Sequence, residues 1–192
     1  VWGTAEAGDK VSVTFAGHTA TATANKSGRW RAELPALEAS AEGREMTIAG
    51  TTTVVYSDVL VGEVWICSGQ SNMEWTLNLL KTETAKQDIE KADYPQIHLF
   101  TVQRALSKTP QEDVEGTWQV CTPETVKNFS AVGYYFGRKL NETLDVPIGL
   151  ISTNWGGTPA QSWTSGKMLL TLPDFSDAVK FLSDKDAIER AQ

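Results

Sequence analysis

The residues best suited to chemistry are gathered in Gly69-Gln70-Ser71-Asn72-Met73. An apolar run, Val64-Trp65-Ile66-Cys67, leads into them, and Met73, Trp75, Leu77 and Leu80 follow at helix-like spacing. The pattern is a buried strand that turns into a helix, with a hydroxyl at the junction. Free backbone N–H groups and the positive end of the helix dipole lie at such a junction, and both stabilise a developing negative charge. The chemistry this suits is a step in which negative charge develops beside the Ser71 hydroxyl. An equally local reading has Ser71 or Asn72 capping the helix.

A second candidate stretch is Ile148 to Pro159, an apolar strand pattern that runs into Asn154-Trp155-Gly156-Gly157. Adjacent glycines let a backbone approach a ligand closely and aim N–H groups into a pocket. They also suit a tight turn before a helix that starts near Pro159. Asn154, Gln161 and Trp163 are candidates for lining a pocket, although packing or capping would account for each. Gln70, Asn72 and Glu74 flank the serine, and Glu74 reads equally well as an exposed acid supporting the helix N-terminus. A serine nucleophile needs a base, usually a histidine held by an acid. The chain has only His18 and His98. His18 falls in a hairpin turn and His98 inside a strand pattern, so neither is assigned as the base. Cys67 and Cys121 make no disulfide framework and lack metal-ligand spacing, and Cys67 reads as a buried, inert thiol.

The elements that must position these residues divide at about residue 58. Before it, Val11, Val13 and Phe15 alternate with polar residues, Ala16-Gly17-His18 and Asn25-Lys26-Ser27-Gly28 read as turns, and Trp30, Ala32 and Leu34 share a face. Met46–Ala49 and Thr52–Tyr56 complete a set of about five short strands, which suggests a small antiparallel sandwich. After residue 58 strands and helices alternate. Glu83–Ala92 is helix-like, Ile97–Phe100 and Trp118–Val120 read as strands, and Ile148–Ser152 as another. Phe129, Val132, Phe136, Leu140 and Leu144 recur at helical spacing, which predicts one apolar helix face. This rhythm implies a mostly parallel sheet with ligands at the carboxyl ends of its strands, where Ser71 stands.

Composition narrows the partners. The hydrophobic fraction is 41% and the charged fraction 21%, as in ordinary globular proteins. A net charge of −7 without a basic patch argues against nucleic acid or a membrane surface as partner. No apolar run approaches the ~20 residues a membrane helix needs. Seven tryptophans hint at sugar contact but serve core packing equally well.

Glycine stands two residues before Ser71 but methionine two after it, which departs from the G-x-S-x-G elbow of α/β-hydrolases. The longer stretch VLVGEVWICSGQSNMEW, Val59 to Trp75, instead resembles the nucleophile block of the sialate O-acetylesterase-like family. That family belongs to the SGNH-hydrolase superfamily and has acetylxylan esterase relatives. The resemblance implies an α/β fold: residues 1–58 as a β-rich accessory domain, and residues 59–192 as the N-terminal part of a three-layer α/β/α esterase domain with a parallel sheet. It implies Ser71 as nucleophile and the Gly156 N–H in the oxyanion hole, with Gly157 as the alternative. Gln70, Asn72, Asn154 and Gln161 are then candidates for substrate binding. The implied activity is hydrolysis of O-acetyl groups on sialic acid or related sugars, without metal or organic cofactor. Two other readings stay open: a noncatalytic carbohydrate-binding protein of esterase-like shape, and an esterase for acetylated xylan or a small acyl thioester. In the family the catalytic Asp and His come from a later block, so they are expected beyond residue 192. The chain then reads as a fragment, inactive alone, whose partner is the remainder of the domain or a second copy. An extracytoplasmic location is likewise implied by the resemblance.

Overall fold

The computed structural model describes residues 1–107 and 111–183. Backbone packing divides the chain into two compact units. One comprises Val1–Glu63 with Leu140–Ile148, the other Val64–Lys139 with the described residues from Gly149 onward.

In the first unit, strands β1 (Trp2–Thr4), β2 (Lys10–Phe15), β3 (His18–Thr23), β4 (Arg29–Arg31), β5 (Ser40–Ala49) and β6 (Thr53–Val61) make two sheets. β1 pairs with β4, and the larger sheet has the order β3-β2-β5-β6, antiparallel throughout. The alternation in β2 is realised: Val11, Val13 and Phe15 are buried between more exposed neighbours. Ala16 and Gly17 both have positive φ, 50° and 78°, as a two-residue hairpin turn requires. His18 is therefore the first residue of β3, opposite Phe15, rather than part of the turn. Trp30 of β4 packs with Val11, Val13, Ala24 and Ala32 to form this unit's core.

The second unit contains most of a sheet in the order β7-β10-β8-β9, from β7 (Glu63–Gly69), β8 (Tyr94–Thr101), β9 (Trp118–Cys121) and β10 (Ile148–Asn154). Trp155 N donates to Gly69 O and Val102 N to Ser152 O. The carboxyl ends of β7, β10 and β8 thus lie side by side, so these three strands run in the same direction. β9 returns antiparallel to β8. The described helices are α1 (Ser71–Glu74), α2 (Leu77–Leu80), α3 (Glu83–Glu90), α4 (Pro123–Val126), α5 (Ala131–Leu144), α6 (Gly166–Leu169) and α7 (Pro173–Ser183). A 3₁₀ turn occupies Ala160–Trp163.

Three expectations are corrected here. The apolar run Val64 to Cys67 forms a strand but not a buried one: Cys67 is buried, whereas Val64, Trp65 and Ile66 are 61%, 41% and 68% exposed on an edge strand. The helix after Ser71 does not run on through Leu80. It stops after one turn because Trp75 is extended, with ψ of 118°. The backbone there is claimed from outside: Trp75 O accepts from Ala131 N, Thr76 bridges to Ser130, and Leu77 N donates to Phe129 O. The buried face of α5 is also only in part the predicted one, since Phe129, just before the helix, is buried as expected but the residues that follow are not. Val132 and Phe136 are 48% and 41% exposed, whereas Ala131, Gly133, Tyr134 and Gly137 are buried. Glycines do not register in a pattern of apolar side chains, yet they allow the closest approach to the sheet. Gly133 faces Cys67, and Gly137 faces Leu150. Ser130 starts α5 by accepting from Gly133 N at 3.2 Å, a side-chain cap on a free N–H.

Gly137→Ala tests this packing. A Cβ at position 137 would lie 2.5 Å from Leu150 Cδ1, and Leu150 is fully buried. Overpacking of this kind costs about 1–3 kcal/mol, more than the roughly 1 kcal/mol that alanine gains over glycine in a helix. Urea unfolding should show a net loss of stability. A variant more stable than the parent would mean that the helix does not rest on Leu150 through this glycine.

Candidate active site

The β7–α1 junction is built by local geometry. Gly69 has φ of +138°, a conformation L side chains rarely adopt, and it releases the chain from the strand. Gln70 is then the N-cap of α1, and its side-chain oxygen accepts from Ser71 N at 3.2 Å. Neither Ser71 nor Asn72 is therefore the cap. Ser71 is the first helical residue and is exposed, with its hydroxyl donating to the same Gln70 oxygen at 2.5 Å. An amide oxygen orients a hydroxyl but does not take up its proton at neutral pH.

The loop after β10 meets this junction. Trp155 N donates to the Gly69 carbonyl at 3.0 Å, tying the loop to the last residue of β7. Gly156 N–H donates to Glu74 Oε2, and Arg104 Nη2 donates to Glu74 Oε1. Arg104 also directs Nε to the Asn154 carbonyl at 3.4 Å and lies 5.6 Å from the centroid of the Trp155 ring. Ser71, Glu74, Trp75, Thr76, Leu79, Arg104 and Gly156 line a cavity of about 360 Å³. Serine hydroxyl and glycine loop thus open onto one space at the carboxyl ends of parallel strands, where ligands collect in open α/β sheets.

The other expected site residues are placed differently. Gln70 holds Ser71, and Asn72 is exposed and outside the cavity lining. Asn154 turns its side chain back to Ser152, donating from Nδ2 at 2.7 Å. Gln161 lies in the 3₁₀ turn, also outside the lining, and Gly157 is exposed with φ of +77°. Trp163 Nε1 donates to Thr158 Oγ1 at 2.7 Å. His98 lies in β8, in register with Val120, and His18 belongs to the other unit. Neither histidine lines the cavity. Burial raises the pKa of both thiols, that of Cys121 to about 12. Protonated thiols are poor nucleophiles, so Cys67, four residues from Ser71, does not compete for the role. Among the described residues, no three His, Cys, Asp or Glu side chains are grouped to hold a metal ion.

Arg104 and the partners of Glu74 are what the sequence reading missed. The available signal was positional: Arg104 follows the carboxyl end of β8 by three residues, where a charge faces the ligand side of the sheet.

Comparison with known proteins agrees with this architecture. Residues 61–184, well over half of the chain, match the family of carbohydrate esterases described as sialic acid-specific acetylesterase. A sialate O-acetylesterase from Rattus norvegicus is 34% identical over 187 residues, covering 88% of this chain and 34% of that protein. The Homo sapiens sialate O-acetylesterase is 40% identical over 126 residues, covering 61% of this chain and 24% of that protein. The crystal structure of a carbohydrate acetylesterase from Xanthomonas citri matches with a TM-score of 0.82 at 34% identity, over 90% of this chain and 39% of that one. The chain therefore spans about a quarter to a third of the length of these curated relatives. A sheet whose strand ends present the GQSNM serine and a double-glycine loop to one cavity is what the matched region encodes, and on that match the chain belongs to the sialic acid-specific acetylesterase family of carbohydrate esterases.

Proposed function

We propose that the complete protein is a serine-dependent carbohydrate O-acetylesterase acting on O-acetylated sialic acid or a related sugar, and that this chain carries its nucleophile. The observation that carries the reading is the exposed Ser71 hydroxyl at a strand end, opening onto the cavity that Gly156 also lines. Ser71 Oγ attacks the acetyl carbonyl and its proton passes to a base. The tetrahedral intermediate expels the sugar oxygen, which takes up that proton, and water then hydrolyses the acetyl-serine. The N–H groups of Ser71 and Gly156 are the oxyanion donors, and they point now to Gln70 Oε1 and Glu74 Oε2. The substrate oxygen shares each N–H with the acceptor already there, as a bifurcated hydrogen bond. Glycine 157 stays the alternative donor.

Because neither histidine lines the cavity, this reading takes the catalytic His and its Asp from sequence beyond residue 192. It also places a second helical layer over the outer face of β7, completing a three-layer esterase domain after an accessory domain of residues 1–58. Val64 and Ile66 on that face are 61% and 68% exposed, and β7 is an edge of its sheet. Exposed apolar edges seek a partner, either the remainder of the domain or a second copy. Extracytoplasmic residence belongs to the same reading, and fractionation of cells making the protein checks it.

The test compares the full-length protein with residues 1–192 on O-acetylated sialic acid, acetylated xylan and an activated acetyl ester. The full-length protein should release acetate, fastest from the sialic acid. The fragment should be nearly inactive and self-associate on sedimentation. Sugar binding without acetate release would favour the noncatalytic reading instead. Ser71-dependent turnover by the fragment matching the full-length protein would place the base among these residues or in an associated chain.

A further inference from the structure

Glu74 stands one helical turn after Ser71, on the same short helix. Its two carboxylate oxygens have different partners: Oε2 accepts from the Gly156 backbone and Oε1 from Arg104. Arg104 in turn reaches back to the Gly156 loop, through the Asn154 carbonyl and the Trp155 ring. Two side chains thereby join the ends of β7, β8 and β10. This is not an ordinary surface ion pair. The side chains are 30% and 44% exposed, each makes more than one contact, and the carboxylate also accepts from a main-chain N–H. A surface pair of free side chains contributes little, whereas charge-assisted bonds to backbone fix geometry.

We propose that Glu74 and Arg104 are positioning residues, a clamp that fixes the Gly156 N–H relative to Ser71. The proposal rests on the esterase reading for its consequence but not for its geometry. Because Ser71 and Glu74 share one turn of helix, any drift of the Gly156 loop away from Glu74 is also drift away from the nucleophile. Arg104 neutralises the carboxylate beside a site where negative charge develops. Without it, an unpaired Glu74 would oppose the oxyanion. Displacements near 1 Å at such a site can cost about 10²-fold in rate.

The experiment uses the full-length protein and the variants Glu74→Ala, Arg104→Ala, their double mutant, Glu74→Gln and Arg104→Lys. Hydrogen exchange of the peptide covering residues 154–157 reads the clamp without reference to activity. Exchange should quicken about tenfold or more in Glu74→Ala and Arg104→Ala. Steady-state hydrolysis of an activated acetyl ester reads its consequence. Turnover should fall about 10- to 100-fold with KM changed little, the double mutant should be no worse than the poorer single variant, and Glu74→Gln and Arg104→Lys should recover part of the loss. Unchanged exchange in Glu74→Ala overturns the clamp. Faster exchange with parental kcat overturns its positioning role, as does equal loss of kcat and of Tm in all variants without conservative rescue. A full-length parent that releases no acetate defeats the esterase reading alone, and exchange then still decides whether the clamp exists.

Discussion

Ser71→Ala in the full-length protein is expected to lower acetyl-ester turnover by roughly 10⁴–10⁶-fold, the scale of a lost triad serine. The fold should not change with it. Ser71 is exposed, and among the described residues its hydroxyl bonds only to the neighbouring Gln70 side chain, so removing it leaves the core contacts in place. The Gln70 oxygen keeps the Ser71 N–H in the variant, and the helix start is retained. No nearby thiol can take over, because burial holds Cys67 in its protonated form. The measurement is kcat on an activated acetyl ester, with circular dichroism to show that secondary structure is retained. A folded variant with near-parental kcat would remove Ser71 from the mechanism and leave the cavity as a binding site.

Gly156→Ala is expected to cost about 10²–10³-fold in kcat, the size of one lost oxyanion donor. The backbone at Gly156 is not in the left-handed region, so alanine meets no conformational barrier there. The obstacle is steric: its Cβ would fall on Glu74 Oε2. The Gly156 loop and the carboxylate must move apart, which carries the Gly156 N–H away from Ser71 and disturbs the Arg104 pair. Gly157→Ala makes a useful contrast. At φ of +77° it suffers about 1–2 kcal/mol of backbone strain, but open space surrounds its Cβ. It should therefore cost less than about tenfold in kcat while lowering stability slightly. If Gly157→Ala has the larger effect on kcat, the oxyanion donor is Gly157. If both variants turn over at the parental rate, the double glycine only makes a turn.

The local elements of this protein are written in its sequence because their causes are local. Val11, Val13 and Phe15 alternate, and β2 buries those three residues. Val64 to Cys67 form an apolar run that stops at Ser68-Gly69, and β7 ends at Gly69 with Ser71 beginning a helix. The serine block and the double-glycine block could both be picked out as residues, each at a strand end. Tertiary structure alone decided how far α1 runs, since strand-like bonds from residues 127–131 take the backbone of residues 75–78. It decided which face of α5 is buried, because Gly133 and Gly137 approach the sheet more closely than Val132 or Phe136 can. It also decided the fate of the polar residues. Gln70 and Asn154 had the right chemistry to bind a substrate, but their side chains bond to Ser71 and Ser152. Arg104 is 30 residues from Glu74 and 50 from Asn154, so no local pattern could announce their meeting. A periodicity reports which way one element faces. It does not report which distant backbone groups will claim that element's free N–H and C=O groups, and here those claims settled the shape of the site.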